Sequence, residues 1–400
     1  MIASVGTGAL LFLSSWWLAT HANGLVLGWV LGGTGVVALV TNALASGWVD
    51  RTPRRRSLSI LLVVLLAAAA GYVVALAGGV SPAALVGVVL LHLAVAVAEI
   101  VYLAAIETTT VDVAPGHWPR RRLSLLGQVH GQLERIVSPV FAGGLIGLGH
   151  ARSVAPAALL LLALALGATL LTSSALGLRR RTGTARPARA TGPQMSTRRV
   201  WRYVTARPDL RYLLAFGAWS NLAVSPVLAM LPAWYGDLLG PGPATAVWSS
   251  RALAAYAVGM ILGSVLIGAR SVEPDGHRAL LQATLAHLSI CAGLAVAAAL
   301  ASTWAIVVAL FCVGGLFSVL VAAGGQVWLH AAPAEARARI LSLKRLVAFS
   351  TIPLGTALMG AVGNRFGYQQ STGLFAATSA ALTLTSLVGW RIRASARVRA

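Results

Sequence analysis

Twelve apolar runs, each long enough to form one membrane-crossing helix, govern what this chain can fold into. They lie at 1–20, 24–46, 57–78, 82–108, 123–148, 153–178, 210–239, 245–269, 277–300, 303–328, 341–363 and 371–392. A hydrocarbon core of ~30 Å needs ~20 apolar residues in a helix. Helices satisfy their own backbone hydrogen bonds in lipid without closing into a barrel. Composition agrees: 58% of the 400 residues are hydrophobic and 10% are charged, against ~25% charged in soluble domains. A soluble enzyme, a disordered chain and a disulfide scaffold are thereby excluded. Met1 to Leu18 has no basic head and runs on into a second apolar stretch, so no cleaved signal peptide is expected.

The net charge of +21 would suggest nucleic-acid binding in a soluble protein. Here the basic residues alternate with the spans. The loops after even-numbered spans and the C-terminal tail hold 27 of the 31, ten of them between Arg179 and Arg211. The opposite loops hold Arg152 and Arg365, and Arg135 and Arg251 fall inside spans. Inside loops carry such an excess, so both termini and residues 179–209 are expected in the cytoplasm, in a cell membrane. No nucleic-acid partner is expected. Trp48, Trp118, Trp248, Trp304, Trp328 and Trp390 lie near span ends, as an interfacial belt requires. The one long polar stretch divides the chain into residues 1–180, a basic linker 181–208 and residues 209–400. It reads as a solvated connection that enforces topology, with anionic lipid as an alternative partner.

Three local patterns add to the architecture. Ser46-Gly47-Trp48-Val49-Asp50-Arg51-Thr52-Pro53-Arg54-Arg55-Arg56 follows the second span. Ser138-Pro139-Val140-Phe141-Ala142-Gly143-Gly144 lies in the fifth, and Pro353-Leu354-Gly355 in the eleventh. With six plus six spans around a central loop, the chain resembles the major facilitator superfamily. The first pattern is similar to the superfamily's loop signature, with Ser46 and Pro53 at positions where glycine is usual. The second is similar to its antiporter signature, with Ser138 for a glycine. Together with Asp209 to Pro232 and Pro333 to Arg339, the third resembles a branch containing macrolide-efflux and enterobactin-export proteins. The resemblance implies an all-α bundle of twelve transmembrane helices in two halves related by a pseudo-two-fold axis. It implies alternating access and proton-driven export of a small, fairly lipophilic compound such as a drug, antibiotic or siderophore, through the lipid bilayer. It also implies a cytoplasmic gate in which Asp50, Arg51, Arg54 and Arg55 meet Glu107 and Asp112, with Ser46 and Gly47 allowing close helix approach. The paired Pro-Gly stretches are what a duplicated transporter shows, and Pro139, Gly143, Gly144, Pro353 and Gly355 are read as helix breaks. The working unit is expected to be a monomer.

Charges deep in a bilayer cost ~2.5–3.5 kcal/mol on insertion scales and therefore mark function or pairing. Glu99 lies in the fourth span with His92 on the same helical face. Glu134 lies in the fifth with His130 one turn before it and Arg135 beside it. A coupling proton needs a carboxyl group whose pKa is set by burial and by cationic neighbours, and Glu134 combines both. Glu134 is the first choice for proton or substrate binding and Glu99 the second. His92, His130 and His287 read first as packed, hydrogen-bonded histidines, with proton carriage as the alternative. The first span carries Gly6-Thr7 where some relatives carry Gly-Asp, so the acids of the fourth and fifth spans must supply any coupling. Gly259-x-x-x-Gly263 suggests close helix packing. Cys291 and Cys312 read as small packing residues. No nucleotide loop, catalytic triad or metal-ligand spacing appears, so no enzyme activity, metal or cofactor is expected. The alternatives are a nutrient importer or uniporter, and a non-transporting membrane scaffold.

Overall fold

The computed structural model describes residues 2–113, 135–175, 197–268, 276–331, 333 and 337–399. The described residues are helical apart from short turns. The helices are α1 (Ile2–His21), α2 (Gly24–Arg51), α3 (Arg54–Ala77), α4 (Pro82–Val113), α5 (Arg135–Gly147), α6 (Val154–Ala175), α7 (Thr197–Ala206), α8 (Pro208–Ala229), α9 (Leu231–Leu239), α10 (Pro243–Gly268), α11 (Gly276–Leu300), α12 (Thr303–Ala331), α13 (Arg337–Phe366) and α14 (Tyr368–Arg399). Eleven are long and apolar enough to cross a membrane, and α5 is a shorter apolar helix. With α8 and α9 counted as one crossing and α7 set aside, the described helices follow the twelve spans read from sequence.

Punctuation comes from residues that cannot continue a helix. Between α2 and α3 only Thr52 and Pro53 intervene, with the Thr52 N–H and hydroxyl both donating to the Trp48 carbonyl at 3.1 and 2.8 Å. The seventh span is broken at Met230. Pro232 has no N–H to continue the ladder, and the Met230 N–H closes α8 on the Pro226 carbonyl at 2.9 Å. At the end of α5, Gly149 adopts φ +80°. Its N–H reaches Ile146 O at 3.0 Å and the His150 N–H reaches Leu145 O at 2.8 Å. This paired bonding satisfies carbonyls that a helix C-terminus leaves open, and it requires the left-handed conformation that glycine adopts without strain.

Two stretches expected to break their helices do not. α5 continues through Pro139, Gly143 and Gly144, and α13 through Pro353 and Gly355. Each proline removes one ladder hydrogen bond while packing from neighbouring helices holds the backbone. The basic linker also differs from a bare connection, because residues 197–206 form α7.

The chain forms two compact units, Met1–Thr184 with Leu231–Ala257, and Ala185–Met230 with Val258–Ala400. In the first, α1 packs on α4, α6 and α9, and α3 on α4 and α6. In the second, α8 packs on α13 and α14, and α11 on α12 and α14. Outward faces stay apolar: Val258, Leu262, Val265 and Leu266 are exposed along α10. Such a stripe would drive aggregation in water but is the expected surface in lipid.

Candidate functional site

A polar seam runs between α1 and α4 in the first unit. The Thr7 hydroxyl lies 3.2 Å from Glu99 Oε1 and 3.0 Å from the Ser4 carbonyl. Ser14 Oγ lies 2.7 Å from His92 Nδ1. Both pairs are spaced by seven residues on each helix, so two antiparallel helices bring them together in register. On α4, Glu99 and His92 point away from the exposed Val86, Leu90 and Ala94. The seam therefore faces protein. His92, Ser14 and Thr7 are buried.

The chemistry of the Thr7–Glu99 contact follows from counting protons. Thr7 has one hydroxyl proton and two acceptors within reach. When Glu99 is ionised, Thr7 donates to its carboxylate. When Glu99 is protonated, it donates to Thr7 Oγ1, and Thr7 turns its own proton to the Ser4 carbonyl. Both protonation states are hydrogen-bonded without moving a helix, and a hydrogen bond to a charged group contributes ~1.5–3 kcal/mol.

Arg135 stands on α5. Ala142 and Ile146, which share its helical face, are fully buried, whereas Val137, Val140 and Leu148 point the other way and are exposed. Arg135 thus stays exposed on the side that the rest of α5 buries, within electrostatic reach of the Tyr256 phenol. Arg251 is the opposite case. It shares the outward face of Val258, Leu262 and Val265 near the start of α10, with its guanidinium 4.9 Å from the Trp248 ring centre. That geometry fits a side chain snorkelling to the interface.

The antiporter-like stretch forms a close helix crossing. A Cβ on Gly143 would meet Ser250 Oγ at 2.5 Å and the Ala246 carbonyl at 2.9 Å, and one on Gly147 would overlap the Val247 side chain. Gly144 has open space around it. Gly143 is therefore a contact residue with α10, and Gly144 is not. Ser138 supports the neighbouring crossing with α1: its hydroxyl donates to the Ser4 carbonyl at 3.4 Å, and it abuts Gly8. In the second unit Gly355 performs the same service. A Cβ there would meet Pro226 at 2.7 Å and Leu222 at 3.0 Å. Asn221 Nδ2 donates to Ala348 O and Thr351 Oγ1 to Ala218 O, both at 3.0 Å, across the same α8–α13 seam.

Glu134 and His130 lie outside the described residues. Ser46, Gly47, Asp50 and Arg51 ride on the last turns of α2, Arg54 opens α3, and Glu107 and Asp112 end α4, but their side chains lie outside the described residues. Arg55 is half-buried. Three arginines at the positive end of α3 do not favour that helix.

His287 resolves as a packing residue. Ser379 Oγ donates to the Trp219 carbonyl at 2.7 Å, which commits its one proton. His287 Nε2, 3.0 Å from that oxygen, is then the donor, with Cys291 Sγ 3.5 Å away and the Phe216 ring edge-on. Ser379→Ala is expected to remove the acceptor of a fully buried imidazole and lower stability by ~1–3 kcal/mol, read as an earlier thermal transition of the purified protein with transport retained.

The Major Facilitator Superfamily model matches residues 1–343. The chain belongs to the major facilitator superfamily. It is a multi-pass membrane transporter and not an enzyme. No curated protein matches it in sequence. Among solved structures it is similar to a POT family transporter in complex with a thioalcohol-conjugated peptide, at TM-score 0.72 and 11% identity over 97% of this chain and 94% of that one. It is also similar to a bacterial homolog of the human lysosomal transporter Spinster in an inward-facing, unoccupied conformation, at TM-score 0.66 and 14% identity over 96% and 95%. The nucleoside transporter NupG, as its D323A mutant, gives TM-score 0.67 and 12% identity over 97% and 98%. At these identities the likeness is one of fold.

Proposed function

We propose that this transporter is a proton-coupled exporter of small lipophilic compounds, of the macrolide-efflux and enterobactin-export kind, working by alternating access. The observation that carries the reading is the Thr7–Glu99 pair. A coupling site must be occupied by a proton in one state and released in the other, and must tolerate both forms. The single hydroxyl between a carboxyl group and a backbone carbonyl supplies that tolerance. Ser14 and His92 extend the seam by two turns, and Arg135 offers a charge toward the interior. Glu134 remains a second coupling carboxyl group beside Arg135. The close crossing of α5 and α10 at Gly143 supports the exporter branch, because it is made by the residues that resemble the antiporter signature.

In this reading Asp50, Arg51, Arg54, Arg55, Glu107 and Asp112 lock the cytoplasmic end, the bilayer is the plasma membrane with both termini inside, and the monomer is the working unit. Energy comes from inward proton flow, since binding cargo equally in both states shifts no equilibrium. The test uses proteoliposomes containing the purified chain and a trapped pH-sensitive dye. Addition of a lipophilic probe such as ethidium should move protons opposite to the probe. Proton movement in the same direction as the probe, or none, contradicts antiport. Orientation has its own test. A cysteine placed at Ala188 should resist an impermeant thiol reagent in intact cells and react in inverted vesicles; efficient labelling in intact cells contradicts the assignment of sides.

A further inference from the structure

Helix α7 is the part of the molecule that the transport reading leaves unused. Its ten residues, Thr-Arg-Arg-Val-Trp-Arg-Tyr-Val-Thr-Ala, sort cleanly by face. Val200 and Val204, one turn apart, are 1% and 0% exposed and seat the helix on the second unit. Tyr203 fixes it there. Its hydroxyl donates to the carbonyl of Ala331, the last residue of α12, at 2.6 Å. Arg207 Nη1 donates to the Tyr203 hydroxyl at 3.0 Å and reaches the same carbonyl at 3.4 Å, while Nη2 bonds Asp209 at 3.2 Å. A helix C-terminus carries unsatisfied carbonyls and partial negative charge, so a phenol and a guanidinium are apt caps for it. α7 is therefore docked and not a stretch of free linker.

What this docking leaves outward is specific. Arg198 and Arg202, one turn apart, lie opposite Val200 and Val204 and are exposed. Trp201 projects beside them and is 47% exposed. There is no acidic residue in α7. Pro208, which opens the apolar span α8, follows α7 with one residue between, so the C-terminal end of the helix lies within about a turn of the hydrocarbon boundary. A docked helix with basic residues and an exposed tryptophan at that depth matches what an interfacial helix presents to lipid. Tryptophan prefers the headgroup level, and arginine pairs with phosphate through its planar fork.

We propose that the outward face of α7, formed by Arg198, Arg202 and Trp201, binds the headgroup phosphates of anionic phospholipids at the membrane surface. The site is independent of cargo and of the coupling carboxyl groups. Binding there holds α7, and through Tyr203 and Arg207 the ends of α12 and α8, at the membrane plane.

The test is native mass spectrometry of the full chain in detergent, titrated separately with dioleoyl phosphatidylglycerol and dioleoyl phosphatidylcholine. The wild type should take up the first phosphatidylglycerol in preference to phosphatidylcholine. A basic residue at an anionic surface contributes roughly fivefold in affinity, so the double variant Arg198→Gln, Arg202→Gln should bind that first lipid ~10–30-fold more weakly. Its phosphatidylcholine binding and its thermal midpoint in phosphatidylcholine should not change, which separates lost binding from lost folding. Trp201→Ala should weaken both lipids by a few-fold. Inorganic phosphate and glycerol phosphate should fail to compete. An unchanged first-site preference in the double variant, no preference in the wild type, or competition by free phosphate would each overturn the assignment.

Discussion

Glu99→Gln is expected to abolish uphill export while leaving cargo binding intact. Glutamine keeps the length of the side chain and can still accept from Thr7, but it cannot gain or lose a proton. Transport then becomes an equilibration. For one proton exchanged per cargo molecule, a pH difference of one unit sustains a ~10-fold cargo gradient, because one unit is 1.36 kcal/mol. The variant should hold a ratio of about one at any pH difference. Thr7→Val should give a partial defect, because the carboxyl group survives but its proton-switchable partner does not, and Thr7→Ser should restore function. Glu134→Gln serves as the comparison. If it removes uphill export and Glu99→Gln does not, the coupling carboxyl group is on α5.

Gly259→Val should prevent the protein from accumulating in the membrane. A Cβ at Gly259 would overlap the Phe311 carbonyl oxygen of α12. A Cβ on Gly263, one turn on, would meet Gly315 O at 2.6 Å and Ser318 Cβ at 3.0 Å. Ser318 Oγ donates back to the Met260 carbonyl at 2.7 Å, tying the same crossing. Because the obstructing atoms are backbone, no rotamer change relieves the overlap and the helices must separate. Overpacking usually costs ~1–3 kcal/mol when side chains can give way, and a crossing of two backbones exceeds that range. Gly144→Val is the control, since open space surrounds Gly144. Expression followed by detergent extraction and size-exclusion chromatography should show a folded peak for Gly144→Val and little or none for Gly259→Val.

Legibility from sequence was uneven for physical reasons. Span positions follow from apolar length, which the bilayer dictates almost alone, so the described helices other than α7 fall where the runs lie. The Gly259–Gly263 spacing identified a close crossing but not its partner, which only the fold supplies as Gly315 on α12. Glu99 is legible as an acid within an apolar span, and His92 as its companion on one face. Their partners Thr7 and Ser14 are not, because single hydroxyl residues in apolar runs usually bond their own helix, as Thr34 and Thr169 do here. In the sequence, Thr7 marks only the place where some relatives carry an acid. The structure puts the Glu99 carboxyl group from α4 against that position. The Pro-Gly stretches read as breaks because proline weakens a helix in isolation, whereas neighbouring helices hold α5 and α13 continuous. α7 was missed because ten residues rich in arginine carry too little apolar signal, and only the burial of Val200 and Val204 reveals the face that docks.

The most direct measurement of the account is ethidium accumulation in cells lacking their own efflux pumps, with and without this chain. The account predicts lower steady-state accumulation when the chain is expressed, restored to the control level by a protonophore and by the Glu99→Gln, Glu134→Gln double variant. Accumulation at or above the control level in expressing cells, or lowered accumulation that survives both the protonophore and the double variant, would contradict it.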